Sequence, residues 1–185
     1  MLTCSDRLPA IPARVAIAGA SGVGKTTLAR RIGETLGLQY TEIDALYHGP
    51  NWVPRQGFLA DVDVFTREPN WVTEWQYNLA RPIIAERADL LVWLDLPAPV
   101  AVTRAVLRTV RRSRSREELW NGNVEPGIWH ALTAREGIIR WALSTRRRYT
   151  RSVPATELEH PALTVVRLRS QAEVESWLIG LRIPA

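Results

Sequence analysis

The sequence predicts an α/β protein in which helices cover both faces of a parallel sheet. Short apolar segments alternate with longer segments of helical periodicity along the 185 residues, and this alternation is typical of parallel sheets. A glycine-rich run, Gly19–Thr26, follows the first apolar segment and precedes the first periodic one. Such a turn at the start of a helix is suited to binding phosphate. Together these observations predict an α/β fold that binds a nucleotide.

The first strand, helix and second strand form one unit around this glycine-rich run. Val15–Ala18 is apolar and partly β-branched, which predicts a buried strand. Leucine and isoleucine then recur every four residues across Leu28–Leu36, and Gly37 follows as a C-cap. Tyr40–Asp44 is predicted as the second strand, ending in a carboxylate. The connection between the two strands should be right-handed.

The remaining segments continue the alternation of strand and helix. Residues 49–57 are rich in glycine, proline and tryptophan, which predicts a loop. Asn121–Asn123 breaks the pattern between two long helices. Further strands are predicted at 71–75, 90–95 and 163–168. Further helices are predicted at 79–87, after Pro99 through an arginine-rich stretch, at about 126–148, and after a capping box at Ser170–Glu173.

Composition narrows the class of protein. With 46% apolar and 23% charged residues the chain is ordinary for a globular protein, and one domain is expected over residues 1–185. No apolar run approaches the roughly 20 residues that span a bilayer. Residues 1–13 lack the apolar centre of a signal peptide and are expected to be flexible, and the single Cys4 rules out a disulfide framework. These features predict a cytoplasmic protein without membrane binding.

The glycine-rich run matches the phosphate-loop pattern G-x-x-x-x-G-K-[ST], and its position between strand and helix supports the match. Lys25 is the single lysine among 24 basic residues, placed where a compact ammonium reaches the β- and γ-phosphates. Thr26 would ligate Mg²⁺, and Thr27 would reach the α-phosphate. The motif predicts ATP and Mg²⁺ as ligands. The predicted nucleotide-binding residues here are Gly19, Ala20, Ser21, Gly22, Val23, Gly24, Lys25, Thr26 and Thr27.

Arginines are concentrated in two clusters, and the net charge is +5. Arg104, Arg108 and Arg112 are spaced by four and share one helix face, which Arg146 and Arg147 could meet from the other side. Three interpretations stay open: arms that close over transferring phosphates, a nucleic-acid-binding patch, and a solvated helix face. The first cluster contains Arg104, Arg108, Arg111, Arg112, Arg114 and Arg116, and the second contains Arg146, Arg147, Arg148 and Arg151.

The order of these motifs resembles the adenylate-kinase-like branch of P-loop kinases, and most closely the small bacterial proteins called DNA topology modulation proteins. The resemblance spans about residues 15–178. It implies a three-layer α/β/α P-loop nucleoside triphosphate hydrolase fold with a parallel sheet of about five strands. It also implies an acceptor-side insertion at about 45–70 and an arginine-rich lid at about 104–125. The segments that carry it are GASGVGKTT, IDALY with Trp52 after it, WVTEWQYN, VWLDLP, the arginine-rich helix and VRLRS.

The resemblance implies roles for individual residues. Asp44 matches the position that holds an acceptor hydroxyl, which it would orient or deprotonate. Arg104 and Arg108 match lid arginines that grip phosphates and stack on adenine. Arg169 and Ser170 match the loop that edges the adenine. Where the family usually has Asp-Gly-Asn-Tyr, this chain has Glu74-Trp75-Gln76-Tyr77. The predicted catalytic residues are Lys25, Asp44, Arg104 and Arg108, and the predicted acceptor-binding residues are Asp44, Tyr47, Trp52, Glu74, Tyr77, Arg112 and Arg146.

Several of these positions keep two interpretations. Glu74 either helps to hold Mg²⁺ or is a surface acid, and Asp44 either serves the acceptor or caps a loop. Asp95 ends a strand at the ligand-facing edge of the sheet, where it is either a Walker-B metal ligand or part of a structural turn. The predicted metal ligands are Thr26, Glu74 and Asp95. Stacking on an acceptor base or sugar and burial in the core both stay open for Trp52, Trp71 and Trp75.

The sequence therefore predicts an ATP-dependent kinase that transfers the γ-phosphoryl group to a nucleotide, nucleoside or similar small acceptor. The expected assembly is a monomer or homodimer. Two alternatives stay open. One is a nucleotide-gated protein that binds nucleic acid weakly through the arginine clusters. The other is an ATPase or nucleotide-binding regulator without transfer to a small molecule.

Overall fold

The computed structural model of the chain describes residues 1–115, 118–123 and 135–181, and for 109, 112–115 and 135–145 it describes the backbone alone. The strands are β1 (Arg14–Gly19), β2 (Tyr40–Thr41), β3 (Trp71–Glu74), β4 (Leu90–Leu94) and β5 (Thr164–Leu168). The helices are α1 (Lys25–Leu36), α2 (Ile43–Tyr47), α3 (Phe58–Thr66), α4 (Arg81–Arg87), α5 (Ala98–Ser115), α6 (Arg135–Glu159) and α7 (Gln171–Leu181). Two short 3₁₀ helices cover Pro50–Trp52 and Trp120–Gly122.

The five strands form one parallel sheet in the order β2-β3-β1-β4-β5. β1 lies between β3 and β4, so its carboxyl end is flanked by the ends of both neighbours. In open parallel sheets, ligands bind at this carboxyl edge. The predicted parallel sheet of about five strands with helices on both faces is confirmed.

Two apolar clusters lie on opposite faces of the sheet. The alternation of side chains along β1 sends Val15 and Ile17 into one cluster and Ala16 and Ala18 into the other. Helices α1 and α7 and the start of α5 complete the first cluster. Helices α2, α3, α4 and α6 contribute to the second. The sheet is therefore the middle layer of three, as predicted.

The second strand is shorter than predicted. β2 ends at Thr41, and residues 43–47, whose beginning was assigned to the strand, form helix α2. The helix begins there because the Ala45 amide donates to the Glu42 carbonyl at 3.1 Å, while the Ile43 amide donates to the Glu74 carboxylate at 3.3 Å. Asp44 therefore lies in the first turn of a helix and not at the end of a strand.

Helix α3 lies within the acceptor-side insertion and was not predicted. Its buried residues, Phe58, Val62 and Thr66, follow one another at intervals of four. Such spacing forms one helix face, so the signal was present in the sequence.

The long helix α6 ends later than predicted. The sequence assigned it to about 126–148, but it continues through Pro154 to Glu159. Proline removes a backbone donor and crowds the preceding turn. The helix continues because Tyr149 and Val153, which share one face, are buried at 3% and 0% exposure in the second cluster. The predicted start, residues 126–134, lies outside the described residues, as do 116–117 and 124–125 of the predicted lid.

The N-terminal segment contacts the edge of the sheet. The Leu2 amide donates to the Val165 carbonyl at 2.7 Å, and the Arg167 amide donates to the Leu2 carbonyl at 2.9 Å. Leu2 thus pairs with the middle of β5. The sequence predicted residues 1–13 as a flexible segment and did not predict this contact. Among the described helices, none has both the length and the apolar character needed to cross a membrane.

Candidate active site

The phosphate loop joins β1 to α1 in a conformation that requires glycine. Gly19, Gly22 and Gly24 have φ values of 151°, 83° and 104°, a region that side chains disfavour. The constraint at Gly22 is also steric, since a Cβ there would lie 2.3 Å from the Ala101 carbonyl oxygen of α5. The loop is therefore packed directly beneath the start of α5.

The start of α1 fits a bound polyanion. Within the described structure no side chain caps this helix, so its first amide groups keep their hydrogens for a ligand. Lys25 Nζ lies 3.4 Å from the Ala20 carbonyl oxygen, inside the curve of the loop. Thr26 Oγ1 donates to Glu74 Oε1 at 3.0 Å. Amides, one ammonium and a hydroxyl beside a carboxylate are the donor set that a triphosphate with Mg²⁺ needs.

Two arginines of α5 contact the phosphate loop. Arg104 Nη1 donates to the Val23 carbonyl at 3.2 Å, and Arg108 Nη2 donates to Ser21 Oγ at 3.1 Å. Arg104 also donates to Gln171 Oε1 at 3.0 Å, which ties α5 to α7. The spacing of four thus brings both side chains to the loop. The side chain of Arg112, predicted on the same face, lies outside the described part of the structure.

Glu74 joins the phosphate loop to the acceptor side. The residue is 3% exposed, and its carboxylate accepts hydrogen bonds from Thr26 Oγ1, from the Tyr40 hydroxyl at 2.7 Å and from the Ile43 amide at 3.3 Å. Burial, and then the Glu74 charge, raise the pKa of Tyr40 well above its usual value. Tyr40 therefore stays a protonated donor. Glu74 is a buried acid at the end of β3 and not a surface one.

Asp44 is held by the segment that follows β3. Its Oδ1 accepts hydrogen bonds from Gln76 Nε2 and, at 2.6 Å, from the Tyr77 hydroxyl. Burial and the Asp44 charge raise the pKa of Tyr77, so this phenol also remains a donor. His48 Nε2 lies 3.3 Å from the same hydroxyl, and its buried Nδ1 has no hydrogen-bond partner among the described residues.

Aromatic rings enclose the space around His48. Tyr47 stacks on Tyr77 with centroids 3.9 Å apart, and His48 stacks on Trp120 at 5.6 Å. Trp52 meets His48 edge-on at 5.1 Å. The three tryptophans considered together in the sequence separate here. Trp52 lines the cavity, whereas Trp71 and Trp75 are core residues with 1% and 2% exposure.

The end of the lid region is attached to this aromatic group by asparagines. The buried Asn123 accepts from the Trp52 amide at 2.9 Å and donates to the Gly49 carbonyl at 2.9 Å. Asn121 donates to the His48 carbonyl. The Trp120 side chain hydrogen-bonds Glu42, whose pKa is raised by burial and by the nearby Glu74 charge. The sequence indicated only a break at 121–123, and His48, Trp120 and Asn123 were missed as site residues.

Asp95 and Arg146 bind each other and not the cavity. Asp95 is buried, with Oδ1 3.2 Å from Arg146 and Oδ2 contacted by Arg167. Arg167 lies 4.5 Å from the centre of the Trp93 ring. Two arginines thus neutralise this carboxylate, which favours a structural anchor for α6 over a metal ligand. At the start of α7 one half of the predicted capping box is present, because the Glu173 amide donates to Ser170 Oγ. The Glu173 carboxylate accepts from the Arg169 amide, one residue before the N-cap.

One cavity of about 1220 Å³ joins the predicted nucleotide side and the predicted acceptor side. The phosphate loop lines one part, together with Arg104, Arg108 and Arg111. The acceptor side contributes Glu42, Asp44, His48, Trp52, Glu74, Gln76, Tyr77, Asn78, Arg81, Trp120, Arg148 and Tyr149.

Comparison with known proteins places the fold among P-loop kinases. No protein-family model matches the chain, and no curated protein matches it. Among solved structures, a gluconokinase from Sinorhizobium meliloti 1021 is 20% identical with a TM-score of 0.54, covering 92% of each chain. A shikimate kinase from Acinetobacter baumannii, in complex with shikimate, is 17% identical with a TM-score of 0.53, covering 91% of this chain and 90% of that one.

A second shikimate kinase, from Bacteroides thetaiotaomicron, is 13% identical with a TM-score of 0.56, covering 92% of this chain and 97% of that one. These similarities show the three-layer fold of P-loop small-molecule kinases over nearly the whole chain. The narrower resemblance to DNA topology modulation proteins is not confirmed by them.

Proposed function

We propose that this chain is an ATP-dependent kinase that phosphorylates a hydroxyl group of a small-molecule acceptor. The observation that supports this most directly is the position of Glu74. Its carboxylate contacts Thr26 of the phosphate loop and the backbone of Ile43, next to Asp44. A nucleotide-binding loop and a carboxylate suited to an acceptor are thereby connected within one cavity.

On the nucleotide side, bound ATP with Mg²⁺ would supply the transferable phosphoryl group. The amides at the start of α1 would hold its phosphates, and Lys25 would bridge the β- and γ-phosphates. Thr26 and Glu74 would hold Mg²⁺, directly or through water, since this ion usually takes few protein ligands beside phosphate oxygens. Arg104 and Arg108 already contact the loop and would neutralise charge on the phosphoryl oxygens.

On the acceptor side, Asp44 would act on the attacking hydroxyl. In the described structure both of its hydrogen bonds end on Oδ1, which leaves Oδ2 able to accept the hydroxyl proton. The acceptor oxygen forms a bond to the γ-phosphorus while the bond from that phosphorus to the bridging oxygen of ADP breaks. The proton passes to Asp44 and then to solvent. Phosphoryl transfer needs mainly such positioning and charge neutralisation.

The arginine-rich helix supports this function better than nucleic-acid binding. Arg104, Arg108 and Arg111 all line the cavity, and the first two contact the glycine-rich loop. A nucleic-acid surface would need these charges on an outward face that follows a phosphate backbone. The structures named as gluconokinase and shikimate kinase agree with the proposed reaction class through their fold.

Two variants test the proposal with a panel of hydroxyl acceptors, in which ADP release is measured. Lys25→Ala should abolish nucleotide binding. Asp44→Asn should bind ATP normally but lower acceptor-dependent kcat roughly 10²- to 10⁴-fold, the usual contribution of a general base. Both should keep the circular dichroism spectrum of the wild type. Wild-type ADP release that no acceptor increases would indicate an ATPase instead.

A further inference from the structure

Arg81, the first residue of α4, lies in an unusual environment at the acceptor side of the cavity. It lines the cavity with Gln76, Tyr77 and Asn78 of the segment that joins β3 to α4. Its guanidinium carbon lies 4.8 Å from the centre of the Trp75 ring and 4.6 Å from that of Tyr149. The charged group therefore rests against aromatic rings at the wall of the cavity.

No carboxylate neutralises Arg81 among the described residues, in contrast to other arginines of the fold. Arg14 pairs with Asp89 at 2.5 Å and Arg31 pairs with Glu175 at 2.6 Å. Among the described residues the Arg81 side chain makes one hydrogen bond, a long one of 3.5 Å to the Asn78 side chain, and its buried Nε makes none. A buried donor without a partner costs free energy, and a ligand that accepted its hydrogen would recover that energy.

The aromatic support of Arg81 is itself fixed by hydrogen bonds. The Trp75 indole donates to the Arg81 carbonyl at 2.9 Å, and the Tyr149 hydroxyl donates to the Trp75 carbonyl at 3.3 Å. Both rings are almost fully buried. An arginine whose face rests on rings keeps its N–H edge for planar or tetrahedral anions, with little rotamer freedom left to lose on binding.

Charges of both signs line the acceptor side. Glu42 and Asp44 would repel an anion and attract a hydroxyl hydrogen, whereas Arg81 and Arg148, which also lines the cavity, would attract an anion. An acceptor with a hydroxyl at one end and a negative group at the other would match both. A neutral acceptor would leave Arg81 without a partner.

We propose that Arg81 binds a carboxylate or phosphate group of the acceptor, so that the substrate of this kinase is an anionic hydroxy compound. The inference that the bound anion is a substrate rests on the proposed kinase function. The anion site itself is a property of the free chain and can be measured without turnover.

The test is equilibrium binding with the phosphate loop saturated by a non-hydrolysable ATP analogue and Mg²⁺. The probes are matched pairs of small hydroxy compounds, gluconate against glucose and ribose 5-phosphate against ribose, measured by calorimetry. The charged member of at least one pair should bind the wild type roughly tenfold or more tightly than its neutral partner, as expected for one charge-assisted hydrogen bond.

Arg81→Gln should lose roughly 10- to 100-fold in affinity for that charged probe while its affinity for the ATP analogue is unchanged. Arg81→Lys keeps the charge without the planar fork, so its affinity for the charged probe should lie between those of the wild type and Arg81→Gln. Arg67→Gln is the matched control, since Arg67 is an exposed arginine paired with Asp63 on α3, and it should bind all probes like the wild type. Equal melting temperatures exclude misfolding as the cause.

Two results would overturn the proposal: equal binding of charged and neutral probes by the wild type, or an anion preference that persists in Arg81→Gln. Either would leave the aromatic contacts of Arg81 as purely structural. The kinase proposal fails separately, if anions bind through Arg81 but no acceptor ever increases ADP release. Retained turnover without an anion preference would reject the Arg81 site alone.

Discussion

The nucleotide part of the cavity is built mainly on one continuous run, residues 19–27, to which α5 adds arginines, whereas the acceptor part is assembled from segments far apart in the chain. In the proposed function the first would bind mostly through backbone amides, whose direction follows from the loop conformation. The second relies on side chains from 42–48, from the Trp52 region, from 74–81 and from 120–123. A site made of backbone can be recognised from a short motif, but a site made of side chains requires the fold.

The two parts also differ in how they accommodate unusual backbone conformations. In the phosphate loop the positive φ values fall on glycines. Around the acceptor part they fall on Gly122 and also on Asn51, Trp52, Tyr77 and Asn121, where side chains make them costly. Such conformations persist only when surrounding contacts hold them. The acceptor part should therefore depend on its hydrogen bonds more than the nucleotide part does.

The largest effect is expected from Gly22→Ala in the nucleotide part. The added Cβ would lie 2.3 Å from the Ala101 carbonyl, and the residue would keep a φ of 83°. Either the loop or α5 must shift, so nucleotide affinity should fall by roughly 100-fold or more, which is at or above the upper end of the roughly 1–3 kcal/mol of one lost hydrogen bond. Calorimetric titration with ATP measures this.

Gly180→Ala is the matched control for that change. Its added Cβ would meet nothing within 4 Å in α7, and alanine favours helix. ATP binding should be unchanged and the melting temperature equal or higher. If Gly22→Ala bound ATP like the control, the packing of the loop beneath α5 would not be required for the site.

A smaller and more selective effect is expected from Asn123→Ala in the acceptor part. This change removes the contacts to Trp52 and Gly49 that hold the lid end against the aromatic group. The acceptor KM should rise roughly tenfold, in line with one or two lost hydrogen bonds, while the KM for ATP stays the same. Steady-state kinetics with the best acceptor of the panel provide the measurement.

Asn70→Ala, at an exposed turn, is the control for Asn123 and should leave both KM values unchanged. An equal rise of both KM values in Asn123→Ala would mean that the asparagine supports the whole cavity. That result would contradict the separate dependence of the nucleotide part and the acceptor part on their own contacts.

The same distinction explains what the sequence could predict. The glycine-rich turn between β1 and α1, the central strands and the helix start at Ser170 depend on neighbouring residues, and the sequence predicted each of these elements. Helix α2 was missed because Tyr40–Asp44 also fits a strand, and its helical start depends on Glu74, far away in the chain. The pairing of Asp95 with Arg146 and Arg167 joins three distant segments. No local pattern indicates such a contact.

The smallest effect on activity is expected from Asp89→Asn, at the opposite edge of the sheet from the cavity. Asp89 precedes β4 and accepts hydrogen bonds from the Ala13 and Arg14 amides and from the Arg14 side chain, which fix the starts of β1 and β4. Burial raises the pKa of Asp89, but these hydrogen bonds outweigh it and hold the pKa below its usual value.

Because the folded-state pKa of Asp89 is the lower one, the stabilisation is complete above the unfolded pKa of about 4 and is lost as the pH falls through the folded value. At pH 7, Asp89→Asn should cost about 1–3 kcal/mol in urea unfolding, and the difference from wild type should shrink below about pH 4. The partly exposed pair of Arg55 and Asp61, 2.9 Å apart, gives the control Asp61→Asn, which should cost only about 0–1 kcal/mol. Under folded conditions Asp89→Asn should keep the acceptor KM and the ATP KM of the wild type. A changed acceptor KM would show that the acceptor part responds to global stability, and the selective effect of Asn123→Ala would then need the same explanation.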